Sequence, residues 1–182
     1  MKNLSIDETQ ELVERTGAVP LPGRDTDEHL DEYNAIHEAG HAVVTLLLGV
    51  FLDCVRLMTH PREDGNGHGR CARGNTKDSE DEVLIKFAGV GAELIHGNKG
   101  MQWSWLFRGT GKSDWNGAQS YLSDIGGNRR AVVRNAKLKV TRLLQENWGW
   151  VLAVSHRLRD KRYLSGAEVA ALAADSTPKG RL

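Results

Sequence analysis

The chain has 182 residues, enough for one domain with a substantial core and cramped for two, and it balances 24 Lys+Arg against 24 Asp+Glu. A formal net charge of +0 leaves no basic excess to attract a phosphate backbone, so no nucleic acid partner is expected. No apolar stretch follows the charges of MKNLSIDETQELVERTG, and the longest apolar run, Ala42 to Leu52, is shorter than the roughly 20 residues of a bilayer span, so the reading is a soluble cytoplasmic protein with no membrane partner.

Residues 1–28 are polar and contain Pro20, Pro22 and Gly23, and read as a poorly ordered N-terminal arm; 29–175 read as the folded domain and 176–182 as a polar tail. From Leu30 to about Gly49, the residues Leu30, Tyr33, Ile36, Ala39, Val43, Leu46 and Leu47 recur at helical spacing, with Asp31, Glu32 and Asn34 on the other side. Leu52 to Met58 alternates apolar with polar residues, His60 to Gly67 is rich in turn formers, and His68 to Ala72 returns, which predicts a β-hairpin with a free edge. Cys54 and Cys71 fit no CxxC pattern; they could face each other on paired strands, but in a reducing compartment they read as ordinary buried thiols.

Asp78-Ser79-Glu80 opens a second helix that runs to about His96 and closes at Gly97-Asn98, with Val83, Phe87, Val90, Leu94 and Ile95 on its apolar face. Residues 98–112 read as an irregular loop bearing Trp103, Trp105 and Phe107, and Ser113 as the N-cap of a third helix through about Asp124. Asn128 caps a fourth helix, about 129–159, interrupted near Trp148-Gly149-Trp150, and a short helix from Gly166 to Ala174 ends the pattern. The expected fold class is therefore mainly α, with a small β-hairpin or β-sheet.

The chemistry is concentrated at His37-Glu38-Ala39-Gly40-His41. Two histidines four apart on a helix project from one face, one turn apart, where both can hold one metal ion. Glu38 then flanks the place of a reacting water. Zinc lowers the pKa of such a water toward neutrality, and a neighbouring carboxylate takes its proton as it attacks a polarised carbonyl, which is the physical content of the HExxH pattern. One Zn2+ per chain is expected, held on a helical zinc-metalloprotease domain.

Catalytic zinc usually has three protein ligands, so one more must come from later in the chain. Asp114 is the first choice, at the start of a predicted helix after a glycine-rich stretch; Glu93, an acid between Ala92 and Leu94, is the second. Asp114 also fits an ordinary acid favoured by the helix dipole, and Glu93 a carboxylate that orients an imidazole, and position alone does not separate these.

Several segments, in order, resemble the protease domain of the FtsH family of ATP-dependent, membrane-anchored zinc metalloproteases. Ala35-Ile-His-Glu-Ala-Gly-His-Ala-Val-Val44 resembles the family's AxHEAGHAxV zinc helix, and Ala88-Gly-Val-Gly-Ala-Glu-Leu-Ile-His-Gly97 its GGRAAEExxFG helix. Gly111-Lys-Ser-Asp-Trp-Asn-Gly-Ala118 resembles its GAxxDxxxA segment, and the C-terminal portion with Arg162-Tyr-Leu-Ser-Gly-Ala-Glu168 its closing helices.

The resemblance covers roughly 30–174 and implies that His37, His41 and Asp114 ligate zinc, that Glu38 is the catalytic base, and that Glu93 lies just outside the ligand set. It departs from the family at Val90, where an arginine is usual, and in the lack of an ATPase module and a transmembrane segment. The implied activity is that of an endopeptidase acting on flexible or unfolded polypeptides, with a separate ATPase or a homo-oligomer as partner. The alternative is a catalytically silent, peptidase-like module that binds zinc and protein.

The remaining signals have plainer readings. Gly109-Thr-Gly-Lys-Ser113 imitates the end of a phosphate-binding loop, but Leu106 stands where the first glycine is required, so no nucleotide is expected. His60 and His68 read as solvated turn residues, His96 as a favourable helix C-terminal residue, and Arg157 to Arg162 as a solvated helix end. Trp103 and Trp105 suit a substrate cleft, an oligomer contact or the core edge, and Trp115 is expected near the site.

Overall fold

The computed structural model describes residues 27–58, 69–97, 102–107 and 109–176. The expected N-terminal arm up to residue 26, the hairpin turn with His60 and His68, Asn98 and the tail beyond residue 176 lie outside them, as do the side chains of Leu30 and Trp105. The protein is mainly helical with a small antiparallel sheet, as its patterning predicts.

In chain order the elements are α1 (Asp27–Leu47), β1 (Leu52–Leu57), β2 (Gly69–Arg73), α2 (Ser79–Gly97), α3 (Trp103–Leu106), α4 (Lys112–Ile125), α5 (Arg129–Glu146), α6 (Trp148–Lys161), β3 (Tyr163–Ser165) and α7 (Gly166–Ser176). Among the described residues no helix is long and apolar enough to cross a membrane.

Helices α1 and α2 form the centre. Each is buried on nearly every side over its middle, α1 from Ala35 to Thr45 and α2 from Glu82 to Glu93, which is more than the single apolar stripe of a surface helix. Leu47, expected on the buried face, is instead 37% exposed, because α1 emerges from the core at its last turn. The two helices pack closely at small residues: a Cβ on Gly40 would lie 2.6 Å from the Ala88 carbonyl oxygen and 2.8 Å from the Ala92 Cβ. Asp78 caps α2, its side chain accepting from the Glu80 amide at 2.7 Å.

Helix α5 closes on α2 at Gly91, where an added Cβ would meet Leu144 at 2.9 Å and Trp103 at 3.3 Å. The helix expected over 129–159, with an interruption near Trp148-Gly149-Trp150, is two helices that part at Asn147, one residue before that segment. The Asn147 backbone leaves helical geometry at φ −116° and ψ 22°, and its side-chain amide donates to the Leu143 carbonyl at 2.8 Å. Two further expectations are corrected nearby. The loop 98–112 contains the short helix α3, and α4 starts after Gly111, with no side-chain cap from Ser113. Phe87, Trp103, Phe107 and Trp115 pack ring against ring with centroids 4.9–6.0 Å apart, giving that segment a surface to fold on.

The hairpin is part of a three-stranded sheet of order β2-β1-β3, with Val55 opposite Cys71 on one side and Leu164 on the other. Cys54 is opposite Ala72, so the two cysteines point to opposite faces; both are free and only half-buried, not fully buried as expected.

Strand β3 forms because Arg162, at φ 62°, turns the chain out of α6: its amide donates to Leu158 at 2.8 Å, and its carbonyl accepts from Leu57 at 2.9 Å. Its guanidinium pairs with Asp31 and donates to the Met58 carbonyl, so the charged run ends in a structural residue as well as a solvated one. Directly after β3, a Cβ on Gly166 would stand 1.9 Å from the Leu52 carbonyl oxygen. Gly166→Ala is therefore expected to lower stability by about 2 kcal/mol or more, read as a lower urea midpoint with unchanged slope.

Candidate metal centre

Three side chains converge at the crossing of α1, α2 and α4. His37 and His41 extend from one face of α1, and Asp114, 77 residues beyond His37, reaches them from the first turn of α4. The two Nε2 atoms are 3.0 Å apart, and Asp114 Oδ2 is 3.1 Å from that of His37 and 3.4 Å from that of His41.

The far sides of both rings are committed. His41 Nδ1 donates to the Ile85 carbonyl at 2.7 Å, and since a carbonyl only accepts, the proton lies on Nδ1. His37 Nδ1 donates to Glu93 Oε1 at 2.6 Å, and Glu93 Oε2 accepts from the Thr110 hydroxyl at 3.0 Å. Fixed this way, both rings turn Nε2 toward each other and toward a carboxylate, an arrangement that a shared proton or a metal cation satisfies.

The spacing suits a metal ion. Nitrogen and oxygen donors about 2.0–2.2 Å from a tetrahedral ion stand about 3.3–3.6 Å from one another, close to the triangle found here. His37, His41 and Asp114 could thus hold a metal ion, with one ligand atom from each and all within 4.8 Å.

Glycine makes the room. At Gly89, α2 passes so close to the imidazoles that a Cβ would lie 2.5 Å from His37 Nε2 and 2.6 Å from His41 Nε2. Thr110, Gly89 and the Ile85 carbonyl were not singled out from sequence. Gly89 does fall within the quoted Ala88 to Gly97 segment; a threonine in a loop and a backbone carbonyl give no pattern to read.

Electrostatics follows the same geometry. Burial by itself lowers the His37 pKa, but hydrogen bonds with Asp114 and Glu93 more than reverse this and hold it well above its ordinary value. Burial raises the pKa of Asp114, yet the neighbouring His41 charge and the hydrogen bonds from both imidazoles hold its carboxyl far below the usual carboxylate range. The site therefore keeps a negative carboxylate ready for a cation and binds a proton at His37 when no metal is present. Protons compete with metal, so metal affinity is expected to fall as pH drops, beginning above the ordinary histidine range; metal release during an acid titration checks this.

Glu38 is 8% exposed, beside the cluster and against the start of β2, where a Cβ on Gly69 would meet its Cγ at 2.4 Å and its Oε1 at 2.6 Å. Burial raises its pKa, with the nearby imidazoles opposing, which moves this carboxylate toward the range of a useful proton acceptor. Strand β2 pairs only with β1, so among the described residues its outer edge is unpaired and passes this carboxylate.

Glu93 lies on the far ring nitrogen of His37, away from the three converging atoms, and so takes the orienting place. Glu93→Gln is expected to weaken metal binding by about 10–100-fold without abolishing it, measured by competition with a chromogenic chelator.

The other sequence signals fall elsewhere. His96 meets Glu32 at 3.0 Å and the edge of Tyr33, which adds a specific partner to its helix-end position. Trp115 follows Asp114 but stacks on Phe87 in the aromatic cluster. The Gly109 to Ser113 segment follows the short helix α3, whereas a phosphate-binding loop follows a strand. No protein-family model matches this chain, and no curated protein matches it.

Proposed function

We propose that the protein is a zinc endopeptidase of FtsH-like type, with His37, His41 and Asp114 as zinc ligands and Glu38 as general base. The observation that carries this reading is the place of Glu38, buried beside the cluster and at the start of a strand edge that is unpaired among the described residues. A purely structural metal site has no use for a base there. Two imidazoles and a carboxylate are a donor set suited to zinc, and the resemblance of Ala35–Val44 and Gly111–Ala118 to the zinc segments of FtsH proteases supports the same assignment.

Zinc bound at this cluster would supply Lewis acidity, polarising the scissile carbonyl and acidifying water. The rest is done by the chain. Glu38 takes the proton from the attacking water and delivers it to the leaving amine. Glu93, itself held by Thr110, fixes the His37 ring through Nδ1, and the Ile85 carbonyl fixes His41. The outer edge of β2 offers main-chain donors and acceptors to an extended polypeptide, and Gly69 lets that backbone run close to Glu38. Substrates on this reading are flexible or unfolded polypeptides.

Hydrolysis of casein by the purified chain tests this. Cleavage that stops on chelation and returns with zinc is the expected result; zinc retained without any cleavage would favour a silent binding module.

A further inference from the structure

Helix α5 is strongly basic: Arg129, Arg130, Arg134, Lys137, Lys139 and Arg142 stand against a single acid, Glu146. Arg129 and Arg130 occupy its first turn, where the helix macrodipole disfavours cations and where there is no acid to offset them. Such a placement costs helix stability; Arg129 offsets part of it by donating to Gln119 Oε1, which leaves Arg130 as the cation of that turn with no offsetting contact among the described residues.

Arg142 pairs with Glu146 one turn on, and Lys139 lies near Asp81, but the other end of the helix is not spent in this way. Among the described residues no carboxylate engages Arg130, Arg134 or Lys137. Arg130, Arg134 and Leu138 follow one another at helical spacing on an exposed stripe, and Leu138 is 66% exposed. Lys137 is half-buried, its Nζ 5.4 Å from the Trp103 ring centroid and 5.5 Å from that of Phe107. Together with Trp103 and Trp115 these residues line an open groove of about 540 Å³.

The size and surroundings of the groove select its occupant. The stripe from Arg130 to Leu138 is about 12 Å long at 1.5 Å per residue, room for three or four residues of extended peptide. That is short for single-stranded nucleic acid, whose sites run to about 4–16 nucleotides. The basic surface also ends abruptly: the neighbouring cavity on α5 is bordered by Glu80 beside Val132 and Lys139, and Asp81 acts on Lys139.

We propose that this groove docks an acidic polypeptide segment bearing an apolar or aromatic side chain. Its carboxylates pair with Arg130 and Arg134, and its apolar group packs on Trp103, Trp115 and Leu138. Trp115 directly follows Asp114, so the groove and the metal cluster share helix α4, and a docked segment becomes the part of a substrate that is recognised. That last step rests on the peptidase reading; the docking itself does not.

The test uses the full chain as Glu38→Gln, so that nothing is cut, and the anisotropy of short fluorescein-labelled peptides. A peptide of aspartates and glutamates around one tryptophan is expected to bind, and a lysine-rich peptide of equal length is not. Binding should weaken with salt and fall roughly tenfold or more in Arg130→Glu/Arg134→Glu. Circular dichroism verifies the fold of that variant, and the milder Arg134→Gln should give an intermediate loss.

Equal binding of both peptides, or of the acidic peptide to both proteins, overturns the proposal. So does tighter binding of a single-stranded oligonucleotide or of anionic phospholipid vesicles. An acidic peptide that binds a chain whose unmutated form cleaves nothing would retain the docking site and remove the peptidase reading; hydrolysis of unfolded protein without acidic-peptide binding would do the reverse.

Discussion

Glu38→Gln is expected to retain one metal ion per chain and to lose peptide-bond hydrolysis by about two to four orders of magnitude, the usual contribution of a general base. The substitution keeps the side chain's length and shape, so the contact with Gly69 and the burial of the group persist. What is removed is the ability to accept a proton. Because Glu38 lies outside the three converging ligand atoms, metal content should be unchanged. Parallel measurement of metal content and casein cleavage separates the two properties. Loss of metal along with activity would make Glu38 a ligand and not a base, and full activity in the variant would remove it from the reaction.

Gly89→Ala should have the other large effect, this time on metal binding. The new methyl group would be about 2.5 Å from His37 Nε2 and 2.6 Å from His41 Nε2, well inside van der Waals contact. The backbone has little freedom to retreat, since Ala88 and Val90 on either side are fully buried and the Ala88 carbonyl already packs against Gly40. The imidazoles must therefore rotate away, breaking the bonds from Nδ1 to Ile85 and Glu93. Metal affinity is expected to fall by about 100-fold or more, with helix content largely kept. Gly74→Ala is the control: its Cβ would meet nothing closer than Phe51 at 3.7 Å. Metal affinity equal to that of the unaltered chain in Gly89→Ala would mean that this glycine does not shape the site.

The parts of the molecule legible in its sequence are those set by local spacing. Helix α1 and its paired histidines follow from the i, i+4 rule, and the cap at Asp78 from side-chain chemistry. The sheet was only half legible. Strands β1 and β2 carry a hairpin pattern, whereas β3 is three residues long and exists because Arg162 turns the chain back beside β1. Helix α3 is similar: glycines and tryptophans between helices read as loop, and the aromatic cluster on Phe87 makes a short helix worthwhile.

The site shows the same division. His37, Glu38 and His41 belong to one helical turn and could be read together. The choice between Asp114 and Glu93 could not be made from position, because both are acids on predicted helices far along the chain. It depends on which carboxylate reaches Nε2 and which reaches Nδ1 of His37, a fact of tertiary packing. The small residues Gly40, Ala88 and Gly89 carry that packing, since they let α2 approach α1 closely enough for Glu93 to sit behind the ring.

The measurement that tests the metal centre most directly is zinc X-ray absorption on the purified chain beside Asp114→Ala. One zinc per chain is expected, with two imidazole nitrogens and further oxygen ligands at about 2.0–2.2 Å, and with zinc lost or much weakened in the variant. A chain that retains no zinc after dialysis, or an absorption spectrum and zinc content unchanged by Asp114→Ala, would contradict it.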